Sequence, residues 1–208
     1  MGINVITMQV LERDKKEIEI RASKMSDFLK MEYFESCLKK FTDHEIQKFC
    51  CMELSKLYEN KFMYPEAIKY IFKFQEITGN PMEKKKAMQK EIELLIKGGF
   101  YEKAEGVIKK TFGMLTEGER FELRRNVVTL YKSIGEKAEK NGRNAEVVKV
   151  YERLLPYTFD NERNHVKVKL IESYKKLGKI REAIELEKEI ERVAPARVEP
   201  ERRRFFGF

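Results

Sequence analysis

From Asn164 to Pro195 the apolar residues recur at spacings of three and four among many charges. Val166, Val168, Leu170, Ile171 and Tyr174 make one broad stripe over 164–177, the period of a helix with one buried face. Gly178 follows, a residue that enters left-handed backbone at no steric cost. A second stripe, Ile184, Leu186, Ile190 and Val193, predicts a helix over 181–193 that Pro195 closes. Neither helix can bury its stripe alone, so the two are expected to pair as an antiparallel hairpin.

The same unit recurs upstream. Gly142 stands to Val147 as Gly178 stands to Ala183, Gly99 lies five residues before Ala104, and Leu54, Tyr58 and Ala67 share the register. Ala67, Ala104, Val147 and Ala183 are separated by 37, 43 and 36 residues, a period that signals stacked helix pairs. Local signals punctuate the units. Thr42-x-x-Glu45 and Thr116-x-x-Glu119 read as capping boxes. Thr78-Gly79-Asn80-Pro81 reads as a glycine stop, then a cap and a first-turn proline. A further pair is expected before the first clear unit, with residues 26–41 as its second helix. Residues 1–24 read as helix or as a strand-like segment, because EIEIRA alternates; helix from about residue 13 is the reading taken.

The organisation expected is therefore an N-terminal segment with an additional pair over 1–45, helical repeats over 46–196, and a tail over 197–208. The fold class is all-α, an α-solenoid of stacked antiparallel hairpins. With 38% charged and 42% hydrophobic residues in 208, helices with one buried face are favoured over sheet or disorder. The net charge of +8 favours acidic partners without identifying one. Cys37, Cys50 and Cys51 are odd in number and lack CxxC spacing, which fits reduced core thiols in a cytoplasmic chain. His44 and His165 are isolated, so no zinc site is expected. The apolar start MGINVITMQVL is too short to span a membrane and has no basic leader. There is no Gly-rich phosphate loop, no HExxH and no Cys–His pairing in the sequence; no cofactor and no catalysis are expected.

The pattern resembles the tetratricopeptide (TPR) family. The family's spacing is clearest at Leu170, Tyr174, Gly178, Ala183 and Pro195, and Gly135, Gly142 and Tyr151 support the unit before it. The chain departs from the family in having no Trp, in Val147 at a position for a small residue, and in units longer than about 34 residues. The resemblance implies that the first helices of successive pairs line a concave groove. Its lining would be Phe49, Met52, Lys56 and Glu59, then Lys86, Gln89, Glu93, Ile96 and Lys97. Further along come Thr129, Lys132, Glu136, Glu139 and Lys140, and finally His165, Val168, Glu172, Lys175 and Lys176. Family members that clamp a terminal carboxylate use Lys and Asn on the first helix; here Glu136 follows Lys132 by one turn and would repel it.

In the tail, Arg202, Arg203 and Arg204 precede Phe205, Phe206 and Phe208, the composition of a short anchor. It could dock into another copy's groove, into a different protein or onto RNA, or cover the last hairpin. The function expected is a non-catalytic scaffold that holds an extended or helical segment of a partner protein, with an acidic segment suiting the Lys excess. Homo-oligomers through terminal hairpins or the tail are a further partner class. The alternative is RNA or ribosome association through scattered basic faces and the arginine tail.

Overall fold

The structure, a computed structural model, describes residues 8–193. The arginine–phenylalanine tail lies outside the described residues, as does the start of the chain. Ten α-helices follow one another, with no strand among the described residues. They are α1 (Lys15–Ser23), α2 (Asp27–Lys40), α3 (His44–Asn60), α4 (Tyr64–Ile77), α5 (Pro81–Lys97), α6 (Tyr101–Phe112), α7 (Glu117–Lys140), α8 (Asn144–Leu154), α9 (Asp160–Lys176) and α10 (Ile180–Val193). Sequence neighbours pack on one another from α2 through α6 and from α8 through α10. The fold class is all-α, an α-solenoid of antiparallel helix hairpins. Two compact units divide between Leu130 and Tyr131, inside α7.

The ambiguous N-terminal stretch is helical. Asp14 caps α1 by accepting from the Glu17 amide at 2.9 Å, and Ile18 and Ala22, one turn apart, are buried while Ile20 is exposed. Alternation in EIEIRA is thus a by-product of charge placement on a short helix.

The four hairpin turns share one construction. Gly99, Gly142 and Gly178 adopt φ of 76°, 68° and 72°. The amide of the next residue reaches back five positions: Phe100 to the Leu95 carbonyl, Arg143 to Ala138 and Lys179 to Tyr174, each at 2.9 Å. This satisfies carbonyls that the helix end leaves open. The turn from α3 to α4 has the same bond, Met63 amide to Tyr58 carbonyl at 2.9 Å, but its left-handed residue is Phe62 at φ 59°.

Helix starts follow local chemistry with one correction. Thr116 and Glu119 form the reciprocal box, at 2.7 Å and 3.4 Å, and Asn80 caps α5 ahead of Pro81. At α3 the cap is Asp43, which accepts from the Ile46 amide at 2.9 Å, rather than Thr42. A carboxylate one residue nearer the helix wins that position. Gly79 is not among the left-handed glycines; α4 ends instead on Thr78 in extended backbone.

Small residues sit where paired helices cross. Ala67, Ala104, Val147 and Ala183 are all fully buried, and Ser55 donates to the Ala67 carbonyl at 3.0 Å. Between α7 and α8 the close contact is made by Gly135, where an added Cβ would lie 2.1 Å from the Tyr151 ring. Val147 is therefore accommodated in a pair whose tightest approach is taken by Gly135. In α10 the expected inner face is corrected: Ala183 is buried, whereas Ile184 remains 42% exposed.

Candidate binding groove

Hairpin packing places α3, α5 and the first part of α7 side by side in the N-terminal unit, tied by ion pairs. Lys48 of α3 meets Glu83 of α5 at 3.0 Å, and Glu59 of α3 receives both Lys90 and Lys97 of α5 at 2.8 Å. Lys85 of α5 meets Glu119 of α7 at 3.2 Å. Burial opposes ionisation of Glu59, but the hydrogen bonds from Lys90 and Lys97 outweigh it and hold the carboxyl below its ordinary range. Glu83 is lowered by the Thr78 hydroxyl and by Lys48, and Glu119 by the Thr116 amide and hydroxyl and then by Lys85. In the C-terminal unit the same relation links α7 with α9: Lys132 pairs with Glu162, and Glu139 with Lys169 at 3.4 Å.

Between α5 and α7 the N-terminal unit opens a cleft of about 430 Å³. Its sides carry Lys86, Gln89, Lys90 and Glu93 from α5, and Asn126 and Thr129 from α7. Ile92, Leu123, Val127 and Leu130 supply apolar lining. An apolar floor with polar sides suits a peptide or helix that presents both kinds of group.

The residues singled out from sequence distribute as follows. Lys86, Gln89, Glu93 and Thr129 come together in that cleft. Phe49 is half-buried, edge-on to Phe34 of α2 with centroids 5.8 Å apart and with Lys15 of α1 over its ring. Met52 packs half-buried on the N-terminal core, and Lys56 is exposed and pairs with Glu53 on its own helix at 2.6 Å. Lys97 and Lys132 are held in the inter-helix pairs, and Ile96 is fully buried. In the C-terminal unit Glu136, His165, Val168, Glu172 and Lys176 are exposed, and Lys175 pairs with Glu187 of α10 at 2.6 Å.

Sequence reasoning missed Glu83, Lys90 and Glu119 as ties, although a signal existed. The partners are opposite charges separated by about one repeat: 35, 34 and 38 residues for Lys48–Glu83, Lys85–Glu119 and Glu59–Lys97. It also missed the partners of the family tyrosines. Tyr58 donates to Glu35 of α2 at 2.8 Å, and Tyr174 to Glu152 of α8 at 2.5 Å. Each ties a first helix to the second helix of the pair before.

The three cysteines are free and fully buried. Burial pushes Cys51 up to about 11, and Cys50 is raised further by its hydrogen bond with Cys37 and by burial. Neither offers a thiolate at neutral pH. Among the described residues no group of three or more His, Cys, Asp and Glu could hold a metal ion. No helix among them is long and apolar enough to cross a membrane.

Repeated hairpins with a left-handed glycine turn and a small residue at the crossing define a helical-repeat protein of TPR-like construction. No protein-family model matches the sequence, and no curated protein matches it. Among solved structures, BtubC (BKLC) from P. vanneervenii aligns with a TM-score of 0.38 at 14% identity, covering 85% of this chain and 78% of that one. The nearly identical TPR-like repeats of a Podosopora anserina protein described as a putative kinesin light chain align with a TM-score of 0.40 at 14% identity. That alignment covers 85% of this chain and 91% of the other, and a singly substituted form of the same protein gives the same values. The fold assignment itself stands on the hairpins of this chain.

Proposed function

We propose that the chain is a non-catalytic protein-interaction scaffold whose cleft between α5 and α7 holds an extended or helical segment of a partner protein. The observation that carries this reading is the cleft itself, where Lys86, Gln89, Glu93 and Thr129 surround an apolar floor. The helices on either side are already tied by Lys85–Glu119, so little ordering is required of the scaffold on binding. Lys86 favours an acidic or amphipathic segment, while Lys90 and Glu93 are engaged in ion pairs with Glu59, Lys97 and each other.

RNA association is the competing outcome. Several lysines that raise the basic count, among them Lys48, Lys85, Lys90 and Lys97, are engaged by carboxylates across helices, which lowers the charge free to meet phosphates.

The test immobilises the full chain and recovers bound material from source-cell lysate with and without nuclease. A defined protein retained after nuclease and at elevated salt is expected. Gln89→Trp, which fills the cleft, should weaken its binding at least about tenfold, or ~1.4 kcal/mol, with unchanged thermal unfolding. Loss of all captured material on nuclease treatment, or capture indifferent to Gln89→Trp, overturns the proposal.

A further inference from the structure

A second concavity, of about 650 Å³, lies wholly within the N-terminal unit, between α2 and the junction of α3 with α4. Phe28, Met31, Tyr58 and Met63 form its apolar part. Phe28 is exposed by 70% and Met63 by 42%, so much of this apolar surface is open to a visitor.

The lining carries three carboxylates, Asp27, Glu32 and Glu35, against one lysine, in a chain whose net charge is +8. That lysine, Lys61, is taken by Asp27 at 3.1 Å. Glu35 is half-buried and meets no cation among the described residues; its Oε1 accepts from the hydroxyls of Tyr58 and Tyr70 at 2.8 Å and 2.7 Å. Lys69 is held 5.5 Å from the centre of the Tyr70 ring and forms no ion pair with Glu35. Burial first, and then Glu35, push Tyr58 up to about 12 and Tyr70 higher, so both hydroxyls stay protonated donors. They fix the carboxyl by one oxygen and leave Oε2 without a hydrogen bond from the described residues. Glu32, one turn away on the same helix, makes no ion pair among them either.

Two such carboxylates beside an apolar hollow favour one side chain above others. A guanidinium carries several donors in a plane, enough to serve Glu35 Oε2 and Glu32 together. Its flat face packs on the Tyr58 ring and on thioethers. An ammonium is a more strongly hydrated point charge and gives up more water on entering.

We infer that this hollow docks a segment of a partner protein that presents an arginine flanked by aliphatic or aromatic side chains. The arginine meets Glu35 and Glu32, and its apolar neighbours lie on Phe28, Met31 and Met63. The cleft between α5 and α7 favours an acidic or amphipathic segment instead. The two sites share no lining residue, so either can fail without the other.

The test selects a displayed library of random dodecapeptides on the full chain, after depletion on a chain carrying Glu35→Gln and Phe28→Ser. Glutamine keeps an oxygen for the two tyrosines and removes only the charge. Enrichment of peptides with arginine beside leucine or an aromatic residue is expected. The most enriched peptide, fluorescently labelled, should bind saturably by polarisation. Glu35→Gln, Glu32→Gln and Phe28→Ser should each weaken it at least about tenfold, and replacing its arginine by lysine severalfold. If Glu35→Gln lowers the thermal midpoint, the exposed Glu32→Gln carries the charge test. Glu76→Gln, at an exposed position of α4, and Gln89→Trp, in the other cleft, should leave binding unchanged. No enrichment, enrichment without arginine, or equal binding of the lysine peptide overturns the inference. So does a loss with Glu76→Gln or Gln89→Trp as large as with Glu32→Gln. Dimerisation of the full chain that Phe28→Ser abolishes and the peptide leaves untouched would make a second copy the occupant, and also overturns it.

Discussion

Gly135 illustrates two opposed effects at one atom. Replacing a helical glycine by alanine ordinarily stabilises by up to about 1 kcal/mol. Here the new Cβ would meet Tyr151 Cε1 at 2.1 Å, and Tyr151 is buried, so its ring has little room to retreat. Overpacking of this kind costs about 1–3 kcal/mol and should win. Gly135→Ala is expected to lower the urea midpoint, and adding Tyr151→Leu should recover part of the loss. A gain in stability from Gly135→Ala alone would mean that α7 and α8 are not in close contact there. The recurring glycines, alanines and tyrosines were legible because each carries a local constraint of its own. The partners Glu35 and Glu152 were not, since nothing in a lone surface glutamate marks it as an acceptor for a tyrosine 22 or 23 residues away.

Between elements, the first helices of neighbouring pairs are joined by carboxylate–lysine contacts rather than by apolar packing alone. Glu59, Glu83 and Glu119 all have their carboxyls held below the ordinary range. A depressed carboxyl contributes stability that is complete above its unfolded value and is lost as pH falls through the folded value. The thermal midpoint should therefore stay level from pH 7 down to about pH 5 and fall below about pH 4.5. Glu59→Gln should start lower at neutral pH and show a shallower acid decline. An acid profile identical in the unmodified chain and in Glu59→Gln would show that the pairs at Glu59 contribute nothing. Most of the other carboxylates are exposed, and such pairs contribute little each, so Glu59 is the informative one.

At the scale of the whole molecule, packing runs between chain neighbours from α2 through α6 and from α8 through α10, and each unit keeps its own core. The N-terminal core runs from Ile18 through Leu94, while the C-terminal unit buries Tyr131, Leu154, Leu170 and Ala183. In such an array a defect spreads only to adjoining elements. Ala183→Leu overfills the crossing of α9 and α10, where the alanine is fully buried. Amide exchange should rise in α9 and α10 and stay unchanged in α2, α3 and α4. Uniform acceleration along the chain would instead indicate one cooperative unit.

Helical periodicity and three of the four hairpin turns were readable in advance, because each depends on residues within one or two turns of each other. The turn at Phe62 and the end of α4 at Thr78 were not. The sequence alone determined that the chain is a series of amphipathic helix pairs, and it marked Gly99, Gly142 and Gly178 as the turns. Only the tertiary structure decided which residues of the first helices face a cleft. Lys86, Gln89, Glu93 and Thr129 meet there, whereas Lys97 and Lys132 are drawn into ion pairs and Ile96 into the core. The reason is geometric. A helix face is set by a period of 3.6 residues, but what that face meets is set by packing against a helix some thirty to forty residues away.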